Sequence, residues 1–160
     1  MRVAYIDIET TGVSRSEDTI VEIGMLIPGV CQHQSLVKPY GDPERWENGQ
    51  RIHGITIEEA EKKGNEVHWV LNKCKIALKA YKVDAICGHN LKRFDLPRIE
   101  DRCPDFWDGQ VIDTMSLAKD SDQFESCSLE RLVDHFEIEN KQAHRALSDC
   151  YATYELHKRL

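Results

Sequence analysis

Two carboxylates spaced two residues apart in an apolar run limit what the start of this chain can fold into. From Arg2 to Glu9, Val3, Tyr5, Asp7 and Glu9 alternate with Ala4, Ile6 and Ile8. This period of two predicts a strand, with both acids on one face and roughly 7 Å apart. Thr10, Thr11 and Gly12 end it. Two anions on an apolar sheet repel each other and lose hydration. The cost is avoided if the strand end emerges into solvent, or if a divalent cation sits with the acids. From these two residues alone, a solvated strand end is the plainer reading.

The following segments supply partners for that strand. Ile20 to Ile27 is strongly apolar and closes on the turn pair Pro28-Gly29, and Val30 to Val37 reads as a third strand. Such short connections favour antiparallel neighbours. Pro39 to Gly54 is rich in Gly, Pro and charge and reads as a long connection. Val67, Val70, Leu71, Cys74, Leu78 and Tyr81 then follow helical spacing. Asp84 to Gly88 and Gln110 to Asp113 read as short strands, and Leu91 to Asp101 as a helix with Pro97 in its first turn or at a kink. Ser128 opens a helix striped by Leu129, Leu132, Val133 and Phe136, although Arg131 stands where a capping box wants an acid. Ala143 to Leu160 is the final helix. No linker or repeat divides the chain, so residues 1–160 are expected to form a single domain. Three strands followed by alternating helices and strands predict an α/β fold with a mixed sheet.

Composition excludes several classes. No apolar run approaches the roughly 18 to 20 residues of a membrane span. The segment from Met1 to Gly12 carries acids and is strand-like, unlike a basic leader, so a cytoplasmic location and no membrane partner are expected. The six cysteines (Cys31, Cys74, Cys87, Cys103, Cys127 and Cys150) show no Cys-x-x-Cys pair and are expected to be reduced. A net charge of −7 argues against broad non-specific binding to nucleic acid. It does not exclude a nuclease, because acids that hold divalent metal are neutralised when the metal binds. The charge predicts weak, salt-sensitive capture of nucleic acid, or delivery by a partner. Gly-x-Gly-x-x-Gly and Gly-x-x-x-x-Gly-Lys are both absent, which argues against dinucleotide and nucleoside-triphosphate enzymes.

Two later segments carry further candidates. Gly88-His89-Asn90-Leu91-Lys92-Arg93-Phe94-Asp95 places Asp95 after an apolar strand and a loop, where α/β sheets position site residues. The bland alternative is an acid stabilised at a helix start. His144-Arg145-Ala146-Leu147-Ser148-Asp149 opens the last helix, with Asp149 on the flank of its apolar stripe. Periodicity does not decide whether Asp149 faces the sheet, and His144 alone reads equally as a surface histidine.

Taken in order, Asp-x-Glu-Thr-Thr-Gly, His-Asn-x-x-x-Phe-Asp and His-x-x-x-x-Asp resemble the DEDD (DnaQ-like) exonuclease superfamily. The histidine-bearing subgroup (DEDDh), typified by DNA polymerase proofreading subunits, is the nearest likeness. Ile52-His53-Gly54-Ile55-Thr56 resembles a segment common between the first two motifs, and His-Arg-Ala-Leu-Ser-Asp-Cys-Tyr is similar to exonuclease X-type members. The resemblance implies an RNase H-like fold with a five-stranded mixed sheet, three antiparallel strands and then two parallel ones. It implies hydrolysis of the terminal phosphodiester at a 3′ end, releasing 5′-mononucleotides, with roles in proofreading or DNA repair. Asp7, Glu9, Asp95 and Asp149 map onto metal-binding acids for two Mg²⁺ or Mn²⁺ ions, and His144 onto the general base. An ordinary histidine titrates near 6.5, which suits that role. Thr10, Thr11, Val13, His53, Ile55, Asn90 and Phe94 map onto contacts with the terminal nucleotides, while for Val13, Ile55 and Phe94 ordinary packing is an equal alternative. Lys92, Arg93, Arg98, Lys141 and Arg145 are candidates for positive charge near the site, with scattered solvated cations an equal alternative for most of them.

The same motifs fit a 3′→5′ exoribonuclease, since recognition of the 2′-OH is not written in them. A non-catalytic nucleic-acid-binding module fits less well, because no chemical position is substituted. The resemblance favours DNA over RNA, with a polymerase or other protein as a further partner.

Overall fold

The computed structural model describes residues 1–160. Strands β1 (Val3–Thr10), β2 (Ile20–Ile27) and β3 (Cys31–Leu36) pair antiparallel, as their short connections require. Strands β4 (Ala85–Gly88) and β5 (Gln110–Asp113) join the other edge in parallel, giving the order β3-β2-β1-β4-β5. The turn between β2 and β3 uses Gly29 at φ +70, a left-handed conformation that favours glycine.

The alternation in β1 sorts its residues to two faces. Ala4, Ile6 and Ile8 join Ile23, Met25 and Ile27 under the long helix Val67–Ala80, which contributes Val67, Val70, Leu71, Cys74 and Leu78. The opposite face carries Tyr5, Leu26 and Cys87, packed on Cys150 of the last helix, Ala146–His157. Asp7 and Glu9 share parity with Tyr5, so they lie on the face that this last helix covers. That helix approaches closely. A Cβ on Gly24 would stand 2.4 Å from the carbonyl carbon of Ala146, and Gly24 pairs directly with Asp7 across β1 and β2. The glycine therefore lets the helix start lie against the strand beside the acids.

In chain order the helices are α1 (Trp46–His53), α2 (Ile57–Lys63), α3 (Val67–Ala80), α4 (Asp95–Arg102), α5 (Thr114–Asp120), α6 (Leu129–His135) and α7 (Ala146–His157). Several beginnings follow from local chemistry. Ser128 accepts from Arg131 N at 3.4 Å and caps α6 without the acid of a full capping box. Pro97 sits in the first turn of α4, where its missing N–H has no intrahelical acceptor to lose.

The sequence expectations need four corrections. Helix α4 begins at Asp95 rather than Leu91, because residues 91–94 form a turn after Asn90, which adopts φ +62. The segment from Pro39 to Gly54 is not one long connection. It holds a 3₁₀ turn, Pro43–Arg45, and then α1. The last helix begins at Ala146 rather than Ala143, because His144 adopts φ +63, incompatible with a right-handed helix. Helices α2 and α5 were not expected at all. The six cysteines are all free thiols, and burial pushes Cys74 and Cys87 up to about 12, which makes them poor nucleophiles. No helix is long and apolar enough to cross a membrane.

Candidate active site

Three acids from the two ends of the chain meet on the α7 face. Asp7 and Glu9 come from β1 and Asp149 from the first turn of α7, and one carboxylate oxygen of each lies within 4.8 Å of the others. Asp95 enters from beneath. Strand β4 pairs with β1 only as far as Tyr5, which leaves the Ile8 amide without a strand partner. Asp95 Oδ1 accepts from Ile8 N at 3.1 Å, so the fourth acid takes over where the ladder stops. Asp95 is 3 % exposed and Asp149 7 %.

The electrostatics follow from that crowding. Burial, then Asp95, Asp149 and Glu9, hold the Asp7 carboxyl well above the ordinary carboxylate range. Burial, Asp149 and Glu22 push Glu9 up to about 8, with Arg145 acting against them. Asp95 rises to about 7 through burial, opposed by the Ile8 amide. Asp149 is also raised by burial, against the pull of Asn140 and the His144 amide. The nearest cations offset this only in part, Arg145 at Glu9 and Arg98 at Asp95, because Arg145 is bonded to Glu22 and Arg98 to backbone carbonyls. A cluster of oxygen donors with excess negative charge fits divalent cations.

Glu22 is the residue that sequence reading missed. It lies on β2 directly across from Glu9 and is fully buried. Arg145 Nη2 donates to it at 2.7 Å, Ala146 N at 2.8 Å and Gln34 Nε2 at 3.0 Å. Its carboxylate thus caps the α7 start and fixes the residues on either side, His144 and Asp149. Glu22→Gln keeps the shape and one acceptor but loses the charge. We expect it to cost about 1.5 to 3 kcal/mol in chemical denaturation. A change under about 0.5 kcal/mol would show that the ion pair does not hold the helix.

Two other buried acids shape the loops around the cluster. Asp18 accepts from Thr11 Oγ1 at 2.9 Å, Ser14 N at 2.8 Å and Arg45 Nε at 2.8 Å, closing the loop after β1. Asp113 accepts from Asn90 N, Lys92 N and Met115 N, and so ties the loop before Asp95 to the start of α5.

The remaining candidates divide into two groups. His144 is exposed, and its amide donates to Asp149 Oδ2 at 3.0 Å, which places the residue at the rim of the acids. A cavity of about 380 Å³ opens beside it, lined by Val133, Asn140, His144 and Asp149 among others. Val13 is 84 % exposed, while Thr10, Asn90 and Phe94 are partly exposed. Thr11, His53 and Ile55 are internal, contrary to their expected contact with substrate. The Thr11 hydroxyl is used by Asp18 and by Thr19 N. His53 Nδ1 accepts from Ile55 N at 3.0 Å, and burial pushes its ring down to about 4. Ile55 packs with Val21, Leu36, Trp46 and Ala60 at 1 % exposure, leaving no surface for a base. Among the cations expected near the site, Arg98 and Arg145 are committed to internal bonds, whereas Lys92, Arg93 and Lys141 are exposed.

Comparison with known proteins places this arrangement in context. The RNase_T family model, described as an exonuclease, matches residues 4–157. DNA polymerase III PolC-type from Thermotoga maritima is 32 % identical over 158 residues, covering 94 % of this chain and 11 % of the polymerase. The protein of the same description from Thermotoga petrophila is 31 % identical with the same coverage. The chain therefore spans about a tenth of the length of these curated relatives. Among solved structures, E. coli Exonuclease I in complex with a dT13 oligonucleotide superposes with a TM-score of 0.81 at 22 % identity, over 99 % of this chain and 40 % of that one. A zinc-bound form of the E. coli enzyme with single-stranded DNA gives 0.80 at 23 %, over 98 % and 40 %. At these identities the likeness establishes the fold, which is RNase H-like.

Proposed function

The chain belongs to the RNase_T exonuclease family, and from that premise we propose that it is a metal-dependent 3′→5′ exodeoxyribonuclease of the histidine-bearing subgroup. The observation that carries this reading is the meeting of Asp7, Glu9 and Asp149 around a buried excess of negative charge. Asp95 closes the set from below.

In this reading Asp7, Glu9 and Asp149 would hold two Mg²⁺ or Mn²⁺ ions, with Asp95 beside them. When bound, the ions supply Lewis-acid stabilisation of the attacking and leaving oxygens. The protein does the rest. A ring nitrogen of His144, at the rim, accepts a proton from the attacking water. The water oxygen bonds to phosphorus, the bond to the 3′ oxygen of the penultimate nucleotide breaks, that oxygen takes a proton from solvent, and the terminal residue leaves as a 5′-mononucleotide. Glu22 and Arg145 keep the α7 start fixed, so His144 and Asp149 hold their separation from Glu9. Val13, Phe94, Asn90 and Thr10 flank the acids and receive the terminal nucleotide. The polymerase and oligonucleotide-bound relatives support DNA as substrate, presented by a polymerase or another protein in a cytoplasmic setting.

The test uses 5′-labelled single-stranded DNA, duplex DNA and RNA with Mg²⁺, and each again with chelator. We expect a ladder that shortens from the 3′ end on DNA, is slower on RNA and is absent with chelator. No shortening, or shortening indifferent to chelator, defeats the proposal. Faster loss of RNA reverses the substrate preference.

A further inference from the structure

Arg98 is an unusual arginine. It lies within α4, three residues after Asp95, and only 6 % of it is exposed. Burial of a guanidinium is costly unless its donors are met and its charge is paired. Here Nη1 donates to Phe94 O at 2.8 Å and Nη2 to Val13 O at 2.5 Å. Both acceptors are neutral carbonyls, and Nε has no partner. The guanidinium carbon stands 3.8 Å from the centre of the Phe94 ring. Arg98 therefore makes no hydrogen bond to a carboxylate. A side chain buried at this cost contributes chiefly through what it holds together.

What it holds are two separate pieces of chain. Val13 belongs to the loop that leaves β1 after Asp7 and Glu9, and Phe94 precedes Asp95. Val13 projects into solvent with 84 % exposure, and Phe94 is partly exposed. A second link runs in parallel further out, where Arg15 Nε and Nη2 bond to Asp101 at 2.7 and 2.6 Å. That outer pair is open to solvent and screened, so it contributes little. The inner link is more enclosed and directional.

We propose that Arg98 is a positioning residue that sets the spacing between Val13 and Phe94, and so governs how well the 3′-terminal nucleotide is gripped. The inference rests on the exonuclease reading of the acid cluster. It assigns Arg98 a role in substrate fit and none in the chemical step. A purely structural arginine would affect stability and leave the balance of KM and kcat unchanged.

The test compares Arg98→Met, which keeps length and loses the donors, with Arg98→Lys, which keeps the charge but cannot bridge two carbonyls with a planar fork. On single-stranded DNA with saturating Mg²⁺, Arg98→Met is expected to raise KM about tenfold, with kcat changed less than about threefold. Arg98→Lys should fall between it and the unsubstituted protein. The ratio of kcat/KM for 3′-terminal purine against pyrimidine should also move by about threefold in Arg98→Met. Arg15→Ala, which breaks only the outer pair, should shift KM by less than about twofold. Should Arg98→Met not fold, as judged by thermal unfolding, Arg98→Lys decides alone. Unchanged KM in the folded variants overturns the inference, as does a fall in kcat at constant KM. Inactivity of the unsubstituted protein on every substrate removes the exonuclease reading and this inference with it.

Discussion

Asp7→Asn is expected to lose turnover by about three to four powers of ten and to melt higher than the unsubstituted chain when no divalent cation is added. The activity loss follows if ions contribute several kcal/mol of transition-state stabilisation, at about 1.4 kcal/mol for each factor of ten. The gain in stability follows from the same cluster. Burial and four neighbouring carboxyls all push Asp7 toward its protonated form, so its charge is a liability without metal. Removing it relieves about 1 to 3 kcal/mol, and each kcal/mol moves the midpoint of a domain this size by roughly 2 to 4 °C. The sign with pH is set by the raised values at Asp7, Glu9, Asp95 and Asp149. The folded state holds protons that the unfolded chain has released, so stability falls as pH rises. The share from Glu9 is complete below the ordinary carboxylate range and is lost as pH rises through about 8. Asp18, held low by Arg45, works in the opposite sense at more acidic pH, which leaves the optimum mildly acidic. Mg²⁺ should therefore raise the midpoint more at pH 8 than at pH 5.5, and Asp7→Asn should flatten the difference. Calorimetry and a gel assay check both parts. Turnover within tenfold of the parent, or a lower midpoint without metal, contradicts the account.

The fold was legible where burial acts evenly on a run. Strand β2 is apolar because all eight of its residues are buried, and its ends match the sequence expectation residue for residue. Strand β1 announces its acids because alternation leaves them no other face. Helix α1 was hidden for the opposite reason. Its glycine, charges and a nearby proline suggest a loop, yet Gly49 is there because a Cβ would stand 2.3 Å from Thr10 O. The composition of the segment records that close approach and not its helical period. His53 and Ile55 looked like surface contacts because a motif reports position and not exposure; their burial depends on Trp46 and Ala60, to which nothing in the motif refers.

The acid cluster was half legible. Asp7, Glu9 and Asp149 could be proposed from motif order, but their meeting depends on Gly24 admitting the backbone of α7. Glu22 left a signal, an acid inside an otherwise apolar strand, while its partner Arg145 lies 123 residues away. Arg98 left a fainter one. It falls four residues after Phe94, a spacing that lets a helical side chain reach back over the ring. The spacing does not reveal its second carbonyl partner, Val13, supplied by a loop 85 residues earlier.

His144→Ala is expected to lower kcat by about 10²- to 10⁴-fold while leaving metal-linked stabilisation in place. The reasoning depends on separating two sources of acid sensitivity. A protonated imidazole cannot accept a proton, so a histidine base gives a rate that falls below its titration. The raised carboxyls give a fall of their own, because protons and cations compete for the same oxygens. The two respond differently to Mg²⁺. Increasing the cation concentration should move the carboxylate limb to lower pH, since bound metal displaces the protons. It should leave the histidine limb in place. In the unsubstituted protein at saturating Mg²⁺, the remaining acid limb is therefore the histidine's, and His144→Ala should abolish it. Stability gives an independent check. The His144 contact to Asp149 is made by its amide, at 3.0 Å, which alanine retains. The rise in midpoint on adding Mg²⁺ should then agree between parent and variant within about 1 to 2 °C, the shift produced by roughly half a kcal/mol. A variant that keeps its turnover, or that keeps the same acid limb at saturating Mg²⁺, means the proton goes elsewhere. Loss of the Mg²⁺ response would instead place His144 among the groups that hold the metal.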